Sequence, residues 1–180
     1  MDRTIIVETV QNILTTPKYM GLGIAGISAM ALIMALISQY VFGLLPCILC
    51  LYQRWPYAIA IVLGILMLLL LNKGLKTSSF ILLITSITFF VNSGIAFFHS
   101  GVERHWWEGL KGCSAPDMSG SVEELMERIK NAPQAKCDEI PWADPILGGS
   151  MANYNVIFCF GLGVVCLLSS VLVVRKSNGY

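Results

Sequence analysis

The stretch "LLPCILCLYQRWPYAIAIVLGILMLLLL" (residues 44–71) decides how the chain folds, because a Cys-x-x-Cys pair and one arginine lead straight into an uninterrupted apolar run. From Leu51 to Leu71 the run is long enough to cross a hydrocarbon core of roughly 30 Å at about 1.5 Å per helical residue. Three further stretches have the same length and character: Met20 to Ile37, Phe80 to Phe98 and Val156 to Val174. The expected fold is therefore all-α: a polytopic membrane protein whose 180 residues form one domain, a bundle of four transmembrane helices.

Composition agrees. The chain is 56% hydrophobic and 13% charged, with a mean hydropathy of +0.71. A net charge of +1 with no basic run leaves no electrostatic footprint for nucleic acid. The first apolar run is too long for a signal-peptide core, follows Asp2 and Glu8, and has no small-x-small cleavage site after it. Residues 1–19 place Ile5, Ile6, Val10, Ile13 and Leu14 at roughly helical spacing, which reads either as a short interfacial helix before Pro17 or as a polar tail.

Lysine and arginine collect in cytoplasmic loops. Arg3 and Lys18 precede the first span, Lys73 and Lys76 fill the second connection, and Arg175 and Lys176 follow the fourth. Both termini are therefore expected in the cytoplasm, with residues 39–50 and 99–155 outside. The longer outer segment carries nine acidic residues against five basic ones.

That topology sorts the six cysteines. Cys47 and Cys50 stand at the outer end of the second span, Cys113 and Cys137 in the long outer loop, and Cys159 and Cys166 within the fourth span, where they read as small buried hydrophobes. Cysteines exposed to an oxidising compartment suggest disulfides, and four of them permit three pairings. A Cys-x-x-Cys bridge closes too small a loop to be a useful staple, but suits a redox switch. Zinc competes as an explanation, yet a structural zinc site normally needs a second close ligand pair. Cys113 and Cys137 have 23 residues between them.

Arg54 sharpens the redox reading. If the helix begins near Cys47, Cys50 and Arg54 share a face, and Cys50 lies near the positive end of the helix dipole. Both effects favour the thiolate, the form that attacks disulfides. A charge in the bilayer costs about 2.5–3.5 kcal/mol at the centre on insertion scales, so it invites a functional explanation. The competing one is an arginine that snorkels to the headgroups.

"PCILCLYQRW" with its arginine four positions after the second cysteine, the four spans and the second cysteine pair in the last outer loop together resemble the bacterial disulfide bond formation protein B (DsbB) family. "FFHSGVERHWWEG" and "CDEIPW" resemble stretches of one branch of it. The resemblance covers nearly the whole chain. It implies a multi-pass enzyme of the bacterial inner membrane that reoxidises a DsbA-type periplasmic thiol oxidase and passes the electrons to quinone, with ubiquinone the expected type. Residues 99–155 would then be a periplasmic loop. Cys113 would take the partner's attack, Cys137 would attack Cys47, and Cys50 would hand electrons to the quinone. Arg54 would hold Cys50 as thiolate, and His99 would contact or protonate a quinone carbonyl. Gln53 departs from relatives that carry a carboxylate at that position.

The energetics explain why an external acceptor is needed. A DsbA-type partner near −120 mV cannot be oxidised by an ordinary structural disulfide below about −300 mV, a step uphill by roughly 8 kcal/mol. A lipid-soluble oxidant at the membrane surface removes that obstacle.

Tyr40, Tyr52, Trp55, Tyr57, Trp106, Trp107, Trp142 and Tyr154 read chiefly as an outer aromatic belt. In "SVEELMERIK" Val122, Leu125, Met126 and Ile129 follow helical spacing after a Ser121/Glu124 capping box, which predicts a short amphipathic helix on the membrane. Asn92 and Ser93 read as interhelical hydrogen-bonding groups. Two other functions compete: a non-enzymatic four-helix membrane protein stapled by disulfides, and a metal-binding or transport protein. The scarcity of carboxylates and histidines within the spans disfavours the latter.

Overall fold

The computed structural model describes residues 3–110, 113, 121, 126 and 135–178. Helix α1 (Arg3–Thr15) is followed by α2 (Pro17–Tyr40), α3 (Ile48–Leu69), a 3-10 turn (Leu71–Lys73), α4 (Leu75–Glu103) and α5 (Met151–Ser177). Helices α2 to α5 are long and apolar enough to cross a membrane, as expected. Thr16 is extended and Pro17 opens α2, a position where proline's missing N–H costs nothing. The N-terminal segment is helical, with Ile5, Val7 and Val10 exposed and Leu14 packed on the bundle core.

Small and hydroxylated residues decide how the spans meet. Without a hydrophobic drive between helices in lipid, close packing and interhelical hydrogen bonds take over. Between α2 and α3, a Cβ on Gly64 would stand 2.8 Å from the carbonyl oxygen of Gly21, so the two backbones touch. Between α4 and α5, Ser79 Oγ donates to the carbonyl of Ser170 (3.0 Å), Ser86 to that of Gly163 (2.8 Å) and Ser93 to that of Val156 (3.0 Å). Ser93 thus has the interhelical role its sequence position suggests.

Helix α4 continues past Phe98, where the hydropathy falls, to Glu103. Its last turn is polar yet buried: His99, Ser100 and Glu103 are each less than a tenth exposed. Helix is tolerated there because each of these side chains finds a partner on another element. His105 then adopts φ 57°, and the chain doubles back, with Trp106 N donating to the carbonyl of Gly101 (2.9 Å). The Trp107 indole lies so close over Gly101 that any Cβ there would fall 2.0 Å from the ring. Its Nε1 donates to the carbonyl of Phe98 (2.9 Å), and it stacks on the Phe98 ring.

At the other end of this connection an isolated bridge joins Ala143 and Ser150. Ser150 caps α5 in a capping box with Asn153. The amphipathic helix predicted over residues 121–130 lies outside the described residues, Ser121 and Met126 apart. Tyr57 departs from the aromatic belt. It is 7% exposed and its hydroxyl donates to Asn155 on α5, because its position on α3 faces the bundle rather than lipid.

Candidate redox site at the cysteine end of the bundle

Helix α3 starts just after Pro46, where Cys47 is extended and becomes the N-cap. The Cys47 sulfur does what a serine or aspartate does at other helix starts, accepting from the Cys50 backbone N–H at 3.2 Å. That cap brings Cys47 Sγ and Cys50 Sγ to 2.8 Å. Cys47 is 4% exposed, whereas Cys50 is half-buried.

The second pair comes to the first. Cys47, Leu49, Val102, Cys113 and Cys137 form one buried cluster, and Cys113 and Cys137 have no exposed surface. Cys137 N donates to the Cys113 carbonyl at 2.9 Å. Cys113 and Cys47 both act on the Cys137 thiol, as does the Leu49 backbone. The sulfurs therefore stand in file: Cys113, Cys137, Cys47, Cys50. A Cβ on Gly109 would meet the Cβ of Cys113 at 2.6 Å, so the glycine makes room for the first sulfur of the file.

Burial acts on these thiols. Cys113 is pushed up to about 12 by burial and then by its contact with Cys137, and burial also raises Cys137. Cys47 is pushed up to about 12, first by the hydrogen bond with Cys50 and then by burial, while His99 pulls the other way. In the reduced pair, Cys47 is thus the sulfur that keeps its proton.

His99 comes from the last turn of α4. Its Nε2 lies 3.4 Å from Cys47 Sγ and 3.7 Å from Glu103 Oε1, and its Nδ1 lies 2.9 Å from Gln53 Nε2. Arg54 sits one turn after Cys50 on α3, and its Nη1 donates to Gln39 Oε1 at the end of α2 (2.8 Å). Gln39, Gln53, Glu103 and Asn155 are polar members of this site that the sequence reading did not single out. Gln53 had drawn notice only as a neutral neighbour of Arg54. The one available signal was a glutamine and an asparagine inside spans otherwise nearly free of such groups.

Cys47, Cys50 and His99 bring three ligating atoms within 4.8 Å of one another. Two thiolates on tetrahedral zinc stand roughly 3.7 Å apart, given a Zn–S bond of about 2.3 Å. The 2.8 Å between Cys47 and Cys50 suits a dithiol pair better.

A cavity of about 770 Å³ opens between α3 and α4, lined among others by Leu49, Tyr52, Trp55, Val91, Ile95 and Phe98. At about 100° per residue, its α3 lining faces away from Cys50 and Arg54. Tyr52 and Trp55 therefore serve that apolar cavity rather than the sulfur file.

A model of the family described as disulfide bond formation protein DsbB matches residues 17–169. The chain belongs to the DsbB family. Among similar proteins, an uncharacterized protein of Rickettsia prowazekii (strain Madrid E) is 30% identical over 166 residues, 89% of this chain and 91% of its own length. Disulfide bond formation protein B of Polaromonas naphthalenivorans (strain CJ2) is 29% identical over 174 residues, covering 93% of this chain and 97% of the relative. The protein of the same name from Stutzerimonas stutzeri (strain A1501) is 26% identical over 148 residues, 78% and 86% of the two chains. No solved structure gives a significant match. Membership in DsbB, with four helices able to cross a membrane, makes this a multi-pass membrane protein of disulfide bond formation, an oxidoreductase.

Proposed function

We propose that the protein is an inner-membrane thiol:quinone oxidoreductase that reoxidises a DsbA-type thiol oxidase, with both termini in the cytoplasm and residues 99–155 in the periplasm. The observation that carries this reading is the file of four sulfurs, with Cys137 between Cys113 and Cys47.

In the resting oxidised form the disulfides are Cys113–Cys137 and Cys47–Cys50. The reduced partner's thiolate attacks Cys113, and the bond to Cys137 breaks with its electron pair left on Cys137. Cys137 then attacks Cys47, releasing Cys50 as a thiolate. The partner's second cysteine resolves the mixed disulfide, leaves oxidised and frees Cys113. Cys113 in turn attacks Cys137 and releases Cys47. The pair Cys47 and Cys50 then holds the two electrons. Each exchange is a displacement by thiolate on a disulfide sulfur.

A bound quinone supplies an acceptor for two electrons and two protons. Of the chain's own residues, Cys50 and Arg54 fit such a ligand. Cys50 is the half-buried sulfur of its pair, and the Arg54 guanidinium offers five N–H donors, one of them given to Gln39. A cation held at that depth favours any oxygen that gains negative charge. His99 lies against Cys47, so its first task is at the sulfurs.

Purified protein, a reduced DsbA-type substrate and ubiquinone, followed by ultraviolet absorbance, test the reading. Quinone reduction is expected in the native chain and none in Cys50→Ser or Arg54→Ala, both still inserted and helical. Undiminished reduction in both variants would overturn it.

A further inference from the structure

The mechanism above leaves a buried polar chain unused. Behind His99, Gln53 Oε1 accepts from Asn155 Nδ2 at 2.6 Å. Asn155 Oδ1 in turn accepts from the Tyr57 hydroxyl and, at 3.3 Å, from the Cys159 thiol. Asn92 Nδ2 donates to Cys159 Sγ at 3.3 Å, so the chain reaches from the interior of three spans to the reactive pair. Cys159 is therefore more than a small hydrophobe.

Such a chain has a direction. An amide offers an oxygen that only accepts and a nitrogen that only donates. With Gln53 Oε1 taken by Asn155, Gln53 Nε2 must be what faces His99 Nδ1. Nδ1 is then an acceptor, and the neutral ring carries its proton on Nε2. The far end agrees. Nε2 faces a sulfur and a carboxylate oxygen, Cys47 Sγ and Glu103 Oε1, and a lone pair aimed at a carboxylate would be repelled. Reversing the chain would require both amides to turn over and the imidazole to present that lone pair.

We propose that Gln53 and Asn155 are positioning residues for disulfide exchange at Cys47, holding His99 as the Nε2–H tautomer so that an N–H donor awaits the Cys47 sulfur as it leaves. The inference rests on the relay proposed above and concerns one step of it. Cys113 thiolate attacks Cys137 of the Cys47–Cys137 disulfide, the Cys113–Cys137 bond forms, and the Cys47–Cys137 bond breaks. The electron pair stays on Cys47, with no net oxidation. Exchange is faster when the leaving sulfur is better stabilised. Cys47 needs that help: burial and Cys50 make it a reluctant thiolate, and His99 is the group that opposes them. A charge-assisted hydrogen bond from Nε2–H supplies it.

The test uses full-length reduced protein in detergent or nanodiscs, with ¹⁵N-labelled histidine and a His105→Gln background so that only His99 reports. Nitrogen chemical shifts are expected to place the proton on Nε2 in the otherwise native chain, and to show mixed tautomers in Gln53→Leu and in Asn155→Leu. The second variant leaves the His99 contact itself intact and acts only through Gln53. In a Cys50→Ser background, Cys47 thiolate displaces Cys113 from Cys137 and is released again when Cys113 returns, an exchange with no net oxidation; the rate of that return, followed by quenched alkylation of Cys47, is expected to fall about tenfold in either variant. A proton on Nδ1 in the native chain would overturn the proposal without any variant needing to fold. So would unaltered tautomer and release rate in both variants. Neither readout contains quinone, so failure here is distinct from failure of quinone reduction.

Discussion

The two ends of the bundle are built on opposite plans. Away from the cysteines, the spans meet through what they lack: Gly21 against Gly64, with no side chain between the backbones, and serine hydroxyls given to neighbouring carbonyls. At the cysteine end they meet through what they carry: His99, Gln53, Glu103 and Asn155, all tied to one another or to sulfur. Lipid rewards the first plan with tight packing. The second is costly in a membrane unless each polar group is satisfied, and it is found where the reactive thiols are. Close packing and polar pairing are thus concentrated at separate ends of the same helices.

Separation of this kind can be broken experimentally. The largest effect is expected from Cys137→Ser, which removes the middle of the sulfur file. Oxidation of a reduced partner should fall to background in stopped-flow measurements while helical content and thermal midpoint stay near native. Next comes Gly109→Ala. Its methyl would lie 2.6 Å from the Cys113 Cβ, and a misplacement of about 1 Å can cost up to roughly a hundredfold in rate. Slower exchange at Cys113 with unchanged unfolding is the expected pair of results. Gly64→Leu attacks the other half. It should lower stability in denaturant titrations by about 1–3 kcal/mol through overpacking, while the folded fraction keeps its exchange rate.

The comparison is sharpened by pH. Burial pushes the Cys113 thiol up to about 12 from an ordinary value of 9.0. In the reduced protein the associated stability is fully present below pH 9 and is lost as pH rises toward 12, since the unfolded chain ionises first. Denaturant titrations of the reduced protein should accordingly show stability falling through that window, and Cys113→Ala should make the fall shallower. The smallest effect is expected from Ser79→Ala, which removes the two interhelical contacts of one hydroxyl while Ser170 Oγ keeps its bond to the Ser79 carbonyl. About 0.6 kcal/mol of stability and no rate change should be measured.

The spans, the Cys-x-x-Cys pair and the place of Arg54 could be read from the chain because each depends on neighbours in sequence, through hydropathy over some twenty residues or one helical turn. The chain from Tyr57 through Asn155 and Gln53 to His99 could not. Its members lie on three helices, and no local pattern says which side of each faces the others. For the same reason Tyr57 looked like a belt residue and Cys159 like filler. Hydropathy places His99 at the outer end of the third span, and the extra turn to Glu103 becomes legible only once the partners that allow these side chains to be buried are known. The meeting of Cys137 with Cys47, in turn, depends on a loop that folds back across the end of the bundle, and the spacing of cysteines does not specify that path.

Complete enclosure of Cys113 acts as a filter on donors. A small thiol in solvent finds no sulfur surface to strike there. For the quinone-linked oxidase proposed above, such shelter would keep dissolved small thiols from being consumed alongside the intended partner.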